Sequence, residues 1–127
     1  MGCFDFFRFE KDFSFTNNKG DVVIIPAGIS EEGTEYQTKD LNSMMRRLFI
    51  NENNEILEPI YEIITNNEYP KCHPLRYNSK ISKYEKINFS GKINIYHYTN
   101  DKDYIFDIWV EDGKIYKIED KCKWANN

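Results

Sequence analysis

Residues 89–119 read FSGKINIYHYTNDKDYIFDIWVEDGKIYKIE, and apolar and polar side chains alternate along them with a period of two. Turn-forming clusters at Thr99-Asn100-Asp101-Lys102 and Glu111-Asp112-Gly113 divide the stretch, so the pattern predicts a three-stranded antiparallel meander over about residues 90–119. A two-residue turn at Asp112-Gly113 would set Val110 against Ile115 and Ile108 against Lys117, mixing apolar and charged groups on one face. A three-residue loop with Gly113 left-handed instead sets Ile108 against Tyr116 and Phe106 against Ile118. Only the second gives a continuous apolar face, so burial favours it. An even-numbered loop at 99–102 places Ile93 and Ile95 beside Ile108 and Phe106. The inward face is then expected to hold Ile93, Ile95, Phe106, Ile108, Val110, Tyr116 and Ile118. Burying each contributes roughly 1.5–3 kcal/mol before the entropy of ordering is set against it.

The opposite face of the same strands is expected to carry Asn94, Tyr96, Tyr98, Ile105, Asp107, Trp109, Ile115 and Lys117. Tyrosine and tryptophan dominate binding surfaces because they combine a large apolar area with a polar tip. Tyr96, Tyr98, Asp107, Trp109 and Lys117 are therefore the candidate binding residues. The face has two possible fates: cover by a second core layer, or exposure as a contact surface.

Working outward, FDFFRFEKDFSF at 4–15 is too aromatic for a surface tail and reads as N-terminal strand wedged into the core. Asn17-Asn18-Lys19-Gly20 is a turn, and residues 21–26 form a short strand stopped by Pro26. The 28–33 segment, GISEEG, lacks the lysine and following hydroxyl of a phosphate-binding loop. After the Tyr36-Gln37-Thr38-Lys39-Asp40-Leu41 box, Leu41, Met44, Met45 and Leu48 follow helical spacing, yet Arg46 to Ile50 before an Asn-rich turn reads equally as a strand. Pro59 demotes the 55–65 segment to an edge or broken strand. Residues 68–89, with two prolines and scattered lysines, read as a long loop or short helix. The expected fold class is α+β, mainly antiparallel β, with the meander packed on N-terminal strands and at most one or two short helices.

The 127 residues suit a single domain, 1–127, and 40% apolar content with 16% aromatics suffices for a core. A net charge of −4 disfavours nucleic acid as a partner. No apolar run reaches the length of a membrane span and no leader pattern opens the chain, so no membrane association and a cytoplasmic location are expected. The basic stretch 68–92 is a solvated run or a contact surface. Cys3, Cys72 and Cys122 have unrelated spacings, which suggests reduced thiols and neither a zinc site nor a disulfide framework.

Catalytic constellations are sparse. His97 sits on the parity of Ile93 and Ile95, whereas Asp107 lies on the other face, which breaks the obvious dyad. Cys72 and His73 are adjacent, so in an extended segment their side chains point apart. Asp101, Asp103, Asp107, Glu111 and Asp112 lack the spacing of a calcium loop. No cofactor and no metal are expected.

Met1-Gly2-Cys3-Phe4-Asp5, the box at 36–41, Ser90-Gly91-Lys92-Ile93-Asn94-Ile95-Tyr96 and Glu111-Asp112-Gly113-Lys114-Ile115 together resemble a family of small phage and prophage proteins. Its members begin MGMFD, carry a QTKDL-like box and end in a W…DG hairpin. The resemblance implies a phage context, hence the host cell cytoplasm, and a strand at 46–50. It implies no particular chemistry. The expected function is a small non-enzymatic binding protein whose partner is a host protein, in its sharpest form an inhibitor of a host defence component, as anti-CRISPR proteins are. The alternatives are a pocket that sequesters a nucleotide or other small molecule, and a hydrolase-like enzyme using His97 or Cys72.

Overall fold

The structure, a computed structural model, describes residues 4–9, 11–28, 34–41, 46–68, 70 and 77–124. Among the described residues, eleven strands run in chain order. They are β1 (Asp5–Phe9), β2 (Phe13–Thr16), β3 (Val22–Ile25), β4 (Thr34–Thr38), β5 (Arg47–Ile50) and β6 (Ile56–Thr65), then β7 (Tyr77–Lys86), β8 (Gly91–Tyr98), β9 (Lys102–Glu111), β10 (Lys114–Asp120) and β11 (Lys123–Trp124). The described residues form mostly antiparallel β-sheet, as expected, and contain no helix. Residues 42–45, where helical spacing competed with strand, lie outside the described residues; Arg47–Ile50 is strand.

The main sheet runs β10-β9-β8-β4-β1-β5-β6-β7, with β11 beside β9. Among the described strands only β1 and β5 pair in parallel, Phe7 facing Leu48. The sheet curls until β6 meets β10: Glu55 bridges Lys114, Ile56 N–H donates to Gly113 O at 2.8 Å, and Ile115 N–H donates to Asn54 O at 2.8 Å. Seven strands thus form a ring, closed between β6 and β10 by these contacts. Each contributes inward side chains to one core, including Phe7, Tyr36, Leu48, Ile56, Ile95, Phe106 and Ile118, all at most 1% exposed.

The N-terminal aromatics split between two elements. β1 lies centrally between β4 and β5 and buries Phe7 and Phe9, whereas β2 leaves for a separate hairpin with β3. That hairpin adds Phe15 and Ile25 to the core and is tied at both ends. Asn17 imitates a strand residue, donating from Nδ2 to Ile118 O and accepting from Ile118 N–H, each at 2.9 Å. On the β4 side, the Thr34 and Tyr36 hydroxyls donate to Ala27 O and Pro26 O at 2.9 and 2.8 Å. Burial pushes the Tyr36 phenol well above its usual pKa, which keeps it a donor.

Two sequence expectations need correction. Residues 68–89 hold a ten-residue strand, β7, paired with β6 from Leu57–Lys86 to Thr65–Tyr77. The hairpin at 111–113 takes the two-residue turn, with Lys114 opposite Glu111 and Ile115 opposite Val110. Both turn residues are left-handed, Asp112 at φ 48° and Gly113 at φ 77°, as a type I′ turn demands. The mismatch that this turn should cause is cancelled by a shift in register between Ile115 and Lys117. With Tyr116 accommodated as the extra residue, Ile115 and Ile118 both point inward, and Tyr116 is 47% exposed. On the other side of β9, Ile93 faces Ile108 and Ile95 faces Phe106.

Candidate functional site

The outer face of β8, β9 and β10 is built in cross-strand rows. Lys92 and Lys117 are both register partners of Trp109. Their ammonium groups lie 5.9 and 4.5 Å from its ring centroid, so the half-buried indole sits between two cations attracted to its π-face. In the next row Asn94 Nδ2 donates to Asp107 Oδ1 at 3.0 Å, and Glu119 stands on the other side of Asp107. Hydrogen bonds from Lys117 and Lys121 hold the Glu119 carboxyl below its usual range. Beyond them Tyr96, opposite Ile105, stacks on Tyr98 with centroids 5.2 Å apart and planes 24° apart. Burial, then the neighbouring Tyr98, raises the Tyr96 phenol.

Tyr96, Tyr98, Asp107, Trp109 and Lys117 therefore share one face, together with Asn94 and Ile105. Ile115, expected among them, is buried on the core side because the two-residue turn sets it opposite inward-facing Val110. The face is not sealed as a second core layer: Tyr96 and Trp109 are half-buried and Tyr98 is 61% exposed. A shallow concavity of about 210 Å³ lies against Gln37, Tyr96, His97 and Tyr98. Among the described residues no lysine or arginine lines it to pair with a phosphate.

His97 is engaged structurally. Its Nδ1 lies 3.2 Å from Glu35 O, and its ring meets Tyr36 edge-on at 5.9 Å. Cys122 Sγ accepts from Ile105 N–H at 3.4 Å and donates to Ile105 O at 3.6 Å. Burial, assisted by Asp120, pushes its thiol up to about 11, so at neutral pH it is protonated and a poor nucleophile. Cys3, Cys72 and His73 lie outside the described residues.

A second surface escapes period-two reading of the C-terminal third. β6 pairs with β5 only at Ile56 and Leu57, but continues to Thr65 with β7 as partner, forming a two-stranded arm. Register places Pro59, Tyr61 and Ile63 on one side, with Tyr84 and Ile81 opposite the first two. The other side carries Glu62 paired with Lys80 at 3.1 Å and Lys83 with Glu85 at 2.8 Å. The apolar side runs into Phe49, whose ring meets Tyr84 edge-on at 5.3 Å, and then Phe6, around a concavity of about 280 Å³. The alternation Pro59-x-Tyr61-x-Ile63 was the available signal; its partner strand was hidden among lysines.

Comparison with protein-family models, with curated proteins and with solved structures finds no match to this chain. No helix among the described residues is long and apolar enough to cross a membrane.

Proposed function

We propose that this chain is a small binding protein of a phage or prophage, acting on a host protein through the outer face of β8–β10. The observation that carries the reading is the open row of aromatics: Tyr98 and Tyr96 stacked at one end and Trp109 held between Lys92 and Lys117 at the other. Rigid rings flanked by charged pairs supply the buried anchor and the polar rim that protein interfaces combine. Inhibition of a host defence component is the specific form proposed. It draws on the resemblance of the 1–5, 36–41 and 90–96 motifs to phage proteins.

The test is capture from host lysate on the immobilised chain, followed by measured affinity of the purified partner. A saturable partner should bind the native chain and lose about tenfold or more in affinity on Trp109→Ala or Tyr98→Ala, as anchor residues do. Exposed Ile63→Ala, at the far end of β6, should leave the affinity unchanged. No saturable partner, or one indifferent to both anchor substitutions, would refute this use of the face.

A further inference from the structure

We infer that a crevice at the carboxyl ends of β1 and β5 binds a small planar aromatic anion, of the size and kind of a nucleoside monophosphate. It shares no residue with the β8–β10 face, so the inference does not rest on the function proposed above. The crevice follows from the topology. β1 and β5 run side by side in parallel, but their ladder holds only Phe6–Arg47 and Phe7–Leu48. Beyond it the two chains leave in different directions: β1 leads on to the β2–β3 hairpin, whereas β5 turns back at Asn51–Glu55 into β6. Parallel neighbours whose chains part at their carboxyl ends leave a gap between them, as at the ligand-binding edge of open parallel sheets. Here the gap is a concavity of about 280 Å³.

The lining sets the chemistry of the ligand. Phe9 and Phe13, with ring centroids 5.8 Å apart, join Phe49 and Ile50 as its apolar part. Phe9 is buried, but Phe13 and Phe49 are only half-buried, so ring surface is open to a flat partner. Planar π-systems stack on such rings. At the rim Lys11 is exposed and makes no ion pair among the described residues. Asp12 beside it is committed to the fold, because its Oδ1 accepts the Ala27 N–H at 2.8 Å. Arg8 is held by Glu35 at 3.3 Å. The charge that Lys11 lacks is negative, and a ligand can supply it. Volume sets the size: the crevice lies at the lower end of the roughly 300–1,000 Å³ of small-molecule sites, which suits one ring system with one anionic group. The concavity at Tyr96 and Tyr98 has rings without such a cation.

Calorimetric titration of the full chain tests the inference with two kinds of probe: the four nucleoside 5′-monophosphates, and indole-3-carboxylate. At least one should bind saturably, one per chain, and the kind that binds identifies the anion as phosphate or carboxylate. The uncharged nucleoside or indole, and inorganic phosphate alone, should each bind about tenfold or more weakly than the whole anion. Lys11→Glu should cost the bound anion about tenfold or more in affinity. Lys19→Glu, the same charge change at the exposed 17–20 turn, should leave it unchanged. Phe49→Ala should weaken binding by a similar factor through loss of stacking. If that variant does not fold, Phe49→Leu keeps apolar bulk without the ring and should act in the same direction. No saturable binding of any of these probes overturns the inference. So does binding that either Lys11→Glu or the Phe49 substitution leaves intact.

Discussion

Gly113 shows how much one residue can determine. Its φ of +77° belongs to the left-handed region, and a Cβ built there runs into the Ile87 carbonyl oxygen and lies 2.7 Å from Lys86 Cγ. Its own N–H donates to Phe89 O at 2.8 Å and its carbonyl accepts from Ile56, so the turn is also where the ring closes. Gly20 provides the comparison, with φ +89° and nothing within 4 Å of its would-be Cβ. Gly20→Ala should cost about 1 kcal/mol through backbone strain alone, and Gly113→Ala about 3 kcal/mol or more because the neighbours must also shift. Urea unfolding of the two variants checks this; equal losses would show that the close approach carries no weight. The need for a left-handed glycine was legible in Glu111-Asp112-Gly113. What the residue would touch was not, because Ile87 lies far away in sequence.

At the scale of elements, Arg46 joins three strands that sequence order separates. It donates from its backbone N–H to Asp5 Oδ1 at 3.0 Å and from Nη2 to Asp5 Oδ2 at 3.3 Å, while Nη1 pairs with Glu58. Asp5 is fully buried beside the parallel pairing of β1 with β5. Burial works against the charge on Arg46, but the hydrogen bonds to Asp5 and Glu58 outweigh it and raise its pKa. Arg46→Gln should therefore cost about 3 kcal/mol, the scale of breaking a buried pair. Its neighbour Arg47, 54% exposed at the side chain, should cost under about 1 kcal/mol as Arg47→Gln. Guanidinium midpoints for the two variants decide the matter, and similar losses would remove Arg46 from its role as a tie. β7 was missed for a related reason. A strand in a ribbon open on both sides needs no buried face, so its sequence lacks the alternation by which strands are recognised.

For the whole molecule, closure separates a ring of seven strands from an arm that projects beyond it. Strand pairing within the ring is backed by buried side chains, whereas residues 61–65 are exposed throughout. Amide exchange should follow this division. Ile93, Ile95, Phe106 and Ile108 should exchange only near global unfolding, and the closing amides of Ile56 and Ile115 should be nearly as slow. Amides of residues 61–65 should exchange orders of magnitude faster. Closing amides as fast as those of the arm would mean that the ring opens independently.

The alternating pattern of 89–119 by itself determined that these residues are strands, that Ile93, Ile95, Phe106 and Ile108 turn inward, and that Tyr96, Trp109 and Lys117 share the other side. Those properties depend on neighbours within a few residues or across a short loop, where a period of two is sufficient. Tertiary structure alone decided which of Ile115 and Tyr116 is buried, because a bulge absorbs a parity that turn length would otherwise impose. It likewise decided that β1 lies beside β5, that β10 meets β6, and that the 61–65 and 77–86 segments form an arm. Such choices rest on contacts between segments distant in the chain, selected by shape and burial, and no local periodicity encodes them.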